Sequence, residues 1–165
     1  KPWSYYLATV HRASNTDDPE NLRAIALALQ DLDDVVFPCH PRAEKYLKKF
    51  GLWDDLEKKI RMIKPVGYLD MLLLEKNAKK IVTDSGGVQK EAYLLGIPCI
   101  TLRDTTEWIE TVNDGWNVLV RPGEDIASAI RDFRPRHERQ DVFGKGRASA
   151  MIVDLIEKLV GSGGS

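Results

Sequence analysis

Apolar and polar positions change period repeatedly along this chain. A β-rich run from Tyr5 to Val10 gives way to a polar stretch, His11 to Asp18. Apolar residues then recur at Leu22, Ile25, Ala26 and Leu29, one face of a helix that Pro19 opens behind Asp18 as N-cap. Val35 to Cys39 predicts a second strand, and Arg42 to Phe50 a helix that Gly51 stops. Ile60 to Ile63 reads as a third strand and Tyr68 to Asn77 as a helix; Lys80 to Thr83 is a strand and Val88 to Leu95 a helix ended by Gly96. Cys99 to Leu102 and Trp116 to Val120 are further strands, separated by a short helix over Glu107 to Val112. Helices are predicted over Glu124 to Phe133 and Ala148 to Val160, the latter with Ile152, Leu155, Ile156 and Leu159 on one face.

Short strands alternating with helices predict right-handed βαβ units, a mostly parallel sheet and a doubly wound, Rossmann-like α/β fold. Such folds bind ligands beyond the carboxyl ends of their strands, so the residues that follow strands are the candidates for chemistry. Polar loops follow the first strand (Thr9 to Asn15), the second (Pro38 to Arg42), the fourth (Asp84 to Glu91) and the fifth (Arg103 to Glu107).

The turn Asp84-Ser85-Gly86-Gly87 carries the clearest mechanism. Two glycines let a backbone approach a ligand, and a helix start with a serine hydroxyl favours an anion such as phosphate. The same residues also suit a plain capped helix start, with Ser85 as N-cap. Neither a Walker loop nor a Gly-x-Gly-x-x-Gly dinucleotide fingerprint is present. Glu91, about one and a half turns into that helix, could reach a ribose diol or be a surface carboxylate. Gln89 and Lys90 are expected to be solvated. His11 could donate to a pyrophosphate or move a proton near neutral pH, and Arg12 offers a guanidinium fork. His40 and Arg42 have a similar placement, but the neighbouring prolines suggest a rigid turn. Arg103 and Glu107 are expected to pair and brace the site.

Charge and composition narrow the partners. In 165 residues, 24 Lys+Arg stand against 25 Asp+Glu, a net charge of 24 − 25 = −1, which excludes a generally basic surface for nucleic acid or membrane. No apolar run, the Met71 to Leu74 cluster included, approaches the ~20 residues that span a bilayer. Cys39 and Cys99 read as reduced packing residues. No Cys or His pair has zinc-ligand spacing, so a metal-free, cytoplasmic protein is expected. Between Arg131 and Arg147, five Arg and one Lys face three acids, a solvated connector or a contact for a phosphate or partner. Residues 1–160 are expected to form one domain, and Gly161 to Ser165 a flexible linker or engineered tail. Both ends suggest a piece of something larger.

Taken together, these loops resemble the C-terminal half of the non-hydrolysing UDP-N-acetylglucosamine 2-epimerases. The resemblance lies in Thr9-Val10-His11-Arg12 with Asn15, in Thr83-Asp84-Ser85-Gly86-Gly87-Val88-Gln89-Lys90-Glu91-Ala92, in Leu102-Arg103-Asp104-Thr105-Thr106-Glu107 and in Gly115 to Val120. It covers nearly all of residues 3–160, and Trp108-Ile109 looks like the archaeal branch, where many bacterial members have Arg-Pro. The resemblance implies one half of a GT-B-type architecture with a UDP-sugar in the cleft between two domains. By position, Ser85, Gly86 and Gly87 would hold the diphosphate beside His11, the family's functionally important histidine, with Arg12 near it. Glu91 would bind the ribose hydroxyls, and the Pro65 to Tyr68 loop would lie near the uracil, with Asp84, Gln89, Arg103 and Glu107 in support.

The implied reaction interconverts UDP-GlcNAc and UDP-ManNAc by eliminating UDP and re-adding it, with no cofactor. The family's carboxylates around the sugar C2 belong to an N-terminal Rossmann-like domain absent from this sequence, so the domain alone is expected to be inactive. Ser14 stands where many members have Glu, and Gly144-Lys145-Gly146 replaces Gly-Asp-Gly before the last helix. The apolar face of that helix then needs another partner, either this domain or a second copy. Two other readings are an excised or redesigned scaffold domain, and half of a GT-B glycosyltransferase.

Overall fold

The computed structural model describes residues 2–121, 123–144 and 146–161. Six parallel strands form one sheet: β1 (Tyr6–Thr9), β2 (Val35–Pro38), β3 (Arg61–Ile63), β4 (Lys80–Thr83), β5 (Cys99–Thr101) and β6 (Asn117–Leu119). Their spatial order, β3-β2-β1-β4-β5-β6, is that of a doubly wound Rossmann sheet. The helices are α1 (Ala13–Thr16), α2 (Pro19–Gln30), α3 (Pro41–Lys49), α4 (Trp53–Lys59), α5 (Tyr68–Lys76), α6 (Gly86–Leu95), α7 (Ile109–Asn113), α8 (Ile126–Asp132) and α9 (Ala148–Gly161).

The period-2 geometry of the strands divides their side chains between two cores. Tyr6, Ala8, Val35, Phe37, Val82 and Ile100 face α2, α3, α4 and α8, which contribute Leu22, Ile25, Leu47, Leu56 and Ile130. The residues between them, Leu7, Val36, Ile81 and Cys99, face α5 and α6. Cys39 lies in the first core and Cys99 in the second, so the sheet separates two free thiols, each pushed by burial to a pKa of about 12.

Two helices were not expected. The short α1 forms where the Arg12 carbonyl accepts from the Asn15 and Thr16 N–H groups. Helix α4 carries Asp54 and Asp55 in its first turn and Lys58 and Lys59 in its last, an arrangement that complements the helix dipole. Lys80 opens β4 fully buried, and its ammonium donates to the carbonyls of Ile130 and, at 3.0 Å, Arg131, capping the end of α8.

The arginine-rich connector is not merely solvated. The Tyr93 hydroxyl donates to Asp114 Oδ2 and lies equally close, at 2.7 Å, to the Gln140 carbonyl; the Gln140 N–H also donates to Asp114 Oδ2, and Phe143 packs edge-on against Tyr93 and Trp108. Helix α9 exposes Met151, Ile152, Leu155, Ile156 and Leu159, so its apolar face is not folded back onto this domain. No helix among the described residues is long and apolar enough to cross a membrane. The expected tail from Ser162 to Ser165, and Lys145 between its glycines, lie outside the described residues.

Candidate functional site

The strand order reverses direction between β1 and β4, and it is at this switch point that an open α/β sheet leaves a crevice. The two strands end side by side, with the Thr9 and Thr83 hydroxyls 2.6 Å apart. Asp84 follows Thr83 and is fully buried, yet every donor around it comes from the loop after β1. The His11 and Arg12 N–H groups donate to its carboxylate at 3.1 and 2.9 Å, and Asn15 Nδ2 at 3.1 Å. His11 Nδ1 lies 3.0 Å from Asp84 Oδ1. Burial alone would raise the pKa of Asp84; the bonds from His11, Arg12 and Asn15 outweigh it and hold the carboxyl below its usual range. The same contact raises the pKa of His11, against its own partial burial and the Arg12 charge. With Nδ1 committed to Asp84, Nε2 is the nitrogen left for a ligand.

Helix α6 starts at this point. Ser85 caps it through a long 3.4 Å contact to the Val88 N–H, which leaves the hydroxyl loosely engaged. Among the described residues, the Gly86 and Gly87 N–H groups have no protein acceptor, as expected of the first turn of a helix. Neither glycine has a positive φ; what they supply is room. A Cβ on Gly86 would sit 3.2 Å from Glu107 Oε2 and 3.8 Å from Trp108 Nε1, whereas one on Gly87 would meet only Ser85 Oγ at 3.9 Å. Gly86 is therefore small for an internal contact, and Gly87 lies on the open side.

Glu107 is gripped by Arg103 at 2.8 and 2.9 Å and approached by Arg12 at 3.3 Å. The Arg103 hydrogen bonds draw its pKa down to about 2. Gln89, expected in solvent, is fully buried. Its Oε1 accepts from Thr106 and Asn117 while its Nε2 has no partner, because its place on α6 turns it toward polar groups of the loop after β5 and of β6. Lys90 is not free in solvent either: its ammonium lies 4.3 Å from the centroid of the Trp108 ring and 4.9 Å from that of Phe143.

A cleft of about 200 Å³ opens along this edge, lined by Thr9, His11, His40, Val66, Ser85 and Val88 among others. Sites that enclose a small molecule run to roughly 300–1,000 Å³, so this cleft is smaller than such a site. His40 lies beside His11 with its ring tilted, 5.6 Å between centroids, and its Nδ1 accepts from the Arg42 N–H, while Arg42 pairs with Asp17. Glu91 and the exposed Tyr68 form a second group: the Glu91 carboxylate is close enough to the Tyr68 phenol to raise its pKa. The structure thus gathers His11, Arg12, Asp84, Ser85, Gly86, Gly87, Arg103 and Glu107 at the switch point, pairs Glu91 with Tyr68, and turns Gln89 away.

Asn15 enters the sequence reading only as part of the Thr9 to Asn15 motif, with no role of its own, and Glu75 is not singled out there. Glu75 did leave a signal, as a charge beside Met71 and Leu74 of α5 and Ala78 just beyond it, all inward-facing. No group of three or more metal-ligating side chains occurs among the described residues.

The UDP-N-acetylglucosamine 2-epimerase family profile matches residues 1–157. The chain belongs to that family. It is 51% identical over 160 residues to a UDP-N-acetylglucosamine 2-epimerase homolog of Methanococcus maripaludis, covering 94% of this chain and 45% of that protein. It is 42% identical to the UDP-2,3-diacetamido-2,3-dideoxy-D-glucuronate 2-epimerase of Pseudomonas aeruginosa, with 94% and 45% covered. The crystal structure of the Methanocaldococcus jannaschii UDP-GlcNAc 2-epimerase in complex with UDP-GlcNAc and UDP superimposes with a TM-score of 0.83 at 44% identity, covering 93% of this chain and 45% of that one. The chain spans about half the length of these epimerases.

Proposed function

We propose that this domain holds the UDP part of a UDP-sugar. The diphosphate would rest on the start of α6, where the Ser85 hydroxyl and the unengaged N–H groups of Gly86 and Gly87 meet the positive end of the helix dipole. His11 Nε2 and Arg12 would approach it from the β1 loop, Glu91 would accept from the ribose hydroxyls, and Tyr68 would lie toward the base. Asp84 would fix the loop that carries His11 and Arg12, and the Arg103–Glu107 pair would brace it. The observation that carries this reading is the convergence at one strand switch point of a helix start with unengaged donors and an imidazole fixed by a buried carboxylate.

In the whole enzyme, the reaction we propose eliminates UDP from C1 as a base removes the proton at C2. A proton then returns to the opposite face of C2 as UDP re-adds at C1, interconverting UDP-GlcNAc and UDP-ManNAc. This domain's share would be to stabilise the charge that gathers on the departing diphosphate, through the α6 donors, Arg12 and His11. The groups at C2 would come from a second domain closing the cleft, and without that wall the sugar stays in water. The relatives named above differ in their sugars, so we assign sugar choice to that second domain and UDP recognition to this one.

Calorimetric titration of UDP tests the reading. Binding between micromolar and millimolar strength is expected, lost in a Ser85→Ala, Glu91→Ala double variant; a folded wild type that releases no heat would refute it. Turnover of UDP-GlcNAc by this chain alone would contradict the assignment of chemistry to a second domain. A self-associating module is the second reading, favoured by the exposed apolar face of α9. Association without ligand, abolished by Leu155→Glu, would support it.

A further inference from the structure

Helix α5 turns one side toward the sheet and α6, and along that side Met71 and Leu74 pack into the apolar core. The next inward position is Glu75, which is 0% exposed, and neither of its carboxyl oxygens has a hydrogen-bond partner. An unpaired carboxylate does not persist in such a place; it takes up a proton instead. Across the helix pair it faces Glu91 of α6, and burial, then the Glu91 charge, raise the Glu75 pKa to about 8.

Among the described residues, the groups recorded about the pair supply no counter-charge. From α5, Tyr68 approaches Glu91, and its own pKa is raised by it. From β5, the Cys99 thiol is held neutral at a pKa of about 12. Beside Glu75, the Tyr5 hydroxyl is committed to the Leu74 carbonyl at 2.6 Å. No cation is among the groups that shift Glu75. Two carboxylates facing each other without a cation repel, so the buried one, Glu75, holds a proton.

We propose that Glu75 is a positioning residue for nucleotide binding: as a neutral carboxyl it donates to the Glu91 carboxylate and holds it in the orientation that accepts a ribose diol, so that affinity falls when Glu75 ionises. The inference rests on the reading of α6 as the nucleotide helix with Glu91 as its diol acceptor. A protonated Glu75 keeps Glu91 charged yet fixed. An ionised Glu75 repels Glu91, which must then swing away or take a proton itself, and either response removes an acceptor from the ribose. The diphosphate site at Ser85 to Gly87 does not depend on this pair.

The test is the pH dependence of UDP affinity in the wild type, in Glu75→Gln, which can donate but not ionise, and in Glu75→Leu, which can do neither. Inorganic pyrophosphate serves as a ligand without ribose. UDP affinity of the wild type is expected to fall above about pH 8, by up to ~10-fold per pH unit, beyond any fall seen in Glu75→Gln, because one proton is linked to binding. Glu75→Leu is expected to bind UDP ~10-fold more weakly at pH 7 with pyrophosphate affinity unchanged.

The ¹³C carboxyl resonance of Glu91 in the free protein should show an inflection near pH 8 that Glu75→Gln abolishes, a readout that does not require the Leu variant to fold. The same alkaline fall in wild type and Glu75→Gln, or a Glu91 resonance without that inflection, would overturn the inference and leave the nucleotide site standing. Pyrophosphate bound but UDP bound by none of the three would overturn the nucleotide reading, and the inference with it.

Discussion

Replacing Asp84 by Asn tests the strut on which the candidate site is built. The buried carboxylate receives four donors: the His11 and Arg12 N–H groups, Asn15 Nδ2 and His11 Nδ1. Asparagine keeps one acceptor oxygen but turns an NH₂ toward groups that are themselves donors. Hydrogen bonds to a charged group contribute about 1.5–3 kcal/mol against about 0.5–1.5 for neutral ones, and a buried donor left unsatisfied costs about 1–3 kcal/mol. A net loss of roughly 3–5 kcal/mol follows, a large share of the ~5–15 kcal/mol that holds a domain folded.

Urea denaturation at pH 6 measures that loss, and the His11 ring resonances report the pairing directly. In the wild type the raised His11 pKa means that its contribution is complete below the ordinary histidine value of 6.5 and is lost as pH rises through the folded value. The lowered Asp84 pKa means that its contribution is present above 3.8 and is lost as pH falls through the folded value. The pair therefore stabilises most between about pH 4 and 6.5, and Asp84→Asn should flatten both flanks while His11 titrates lower. A loss under about 1 kcal/mol with the His11 titration unmoved would refute the assignment of Asp84 as the strut.

Gly87→Ala should leave stability unchanged or raise it by up to about 1 kcal/mol, because a Cβ there meets only an ordinary contact, whereas Gly86→Ala should fall below it in thermal denaturation by pressing on Glu107. Lys80, fully buried, has its pKa lowered to about 8 by burial and then by Arg134; the unfolded chain binds more protons above that point, so wild-type stability should rise between pH 8 and 10 relative to Lys80→Met. Tyr93→Phe removes the hydroxyl that reaches Asp114 and Gln140, so it should cost about 1–2 kcal/mol and speed tryptic cleavage at Arg136 and Arg139.

Much of this fold was legible because a doubly wound sheet writes its pattern locally. Strands buried on both faces are short apolar runs, and Gly51 and Gly96, both with positive φ, mark helix ends as expected. Helix α4 was missed although Leu52, Leu56 and Ile60 recur at four-residue spacing, because seven residues rich in charge read as a loop. At the site, strand ends located His11, Arg12 and Asp84, since position after a strand is a one-dimensional property. Gln89 and Lys90 misled because nothing within α6 reveals that polar side chains of the loop after β5 and of β6, and the rings of Trp108 and Phe143, wait on that side. Glu75 belongs to the same class: its stripe position was visible, but its partner lies on another helix.

The apolar face of α9 decides between the nucleotide reading and self-association on grounds of area. Its 14 residues make a rod about 21 Å long, with a face roughly 10 Å wide. Two such faces laid together would remove roughly 400–500 Å² from water, well below the ~1,200–2,000 Å² of a stable interface. A second domain on the same chain would face no such threshold, because linkage supplies an effective concentration near the millimolar range. The apolar row therefore suits a partner held close by the chain better than a free copy found by diffusion. Sedimentation equilibrium should accordingly find monomers at about 50 μM, with the same mass for Leu155→Glu. A dimer with a Kd below about 10 μM that Leu155→Glu dissolves would reverse the conclusion and make association the primary property of this chain.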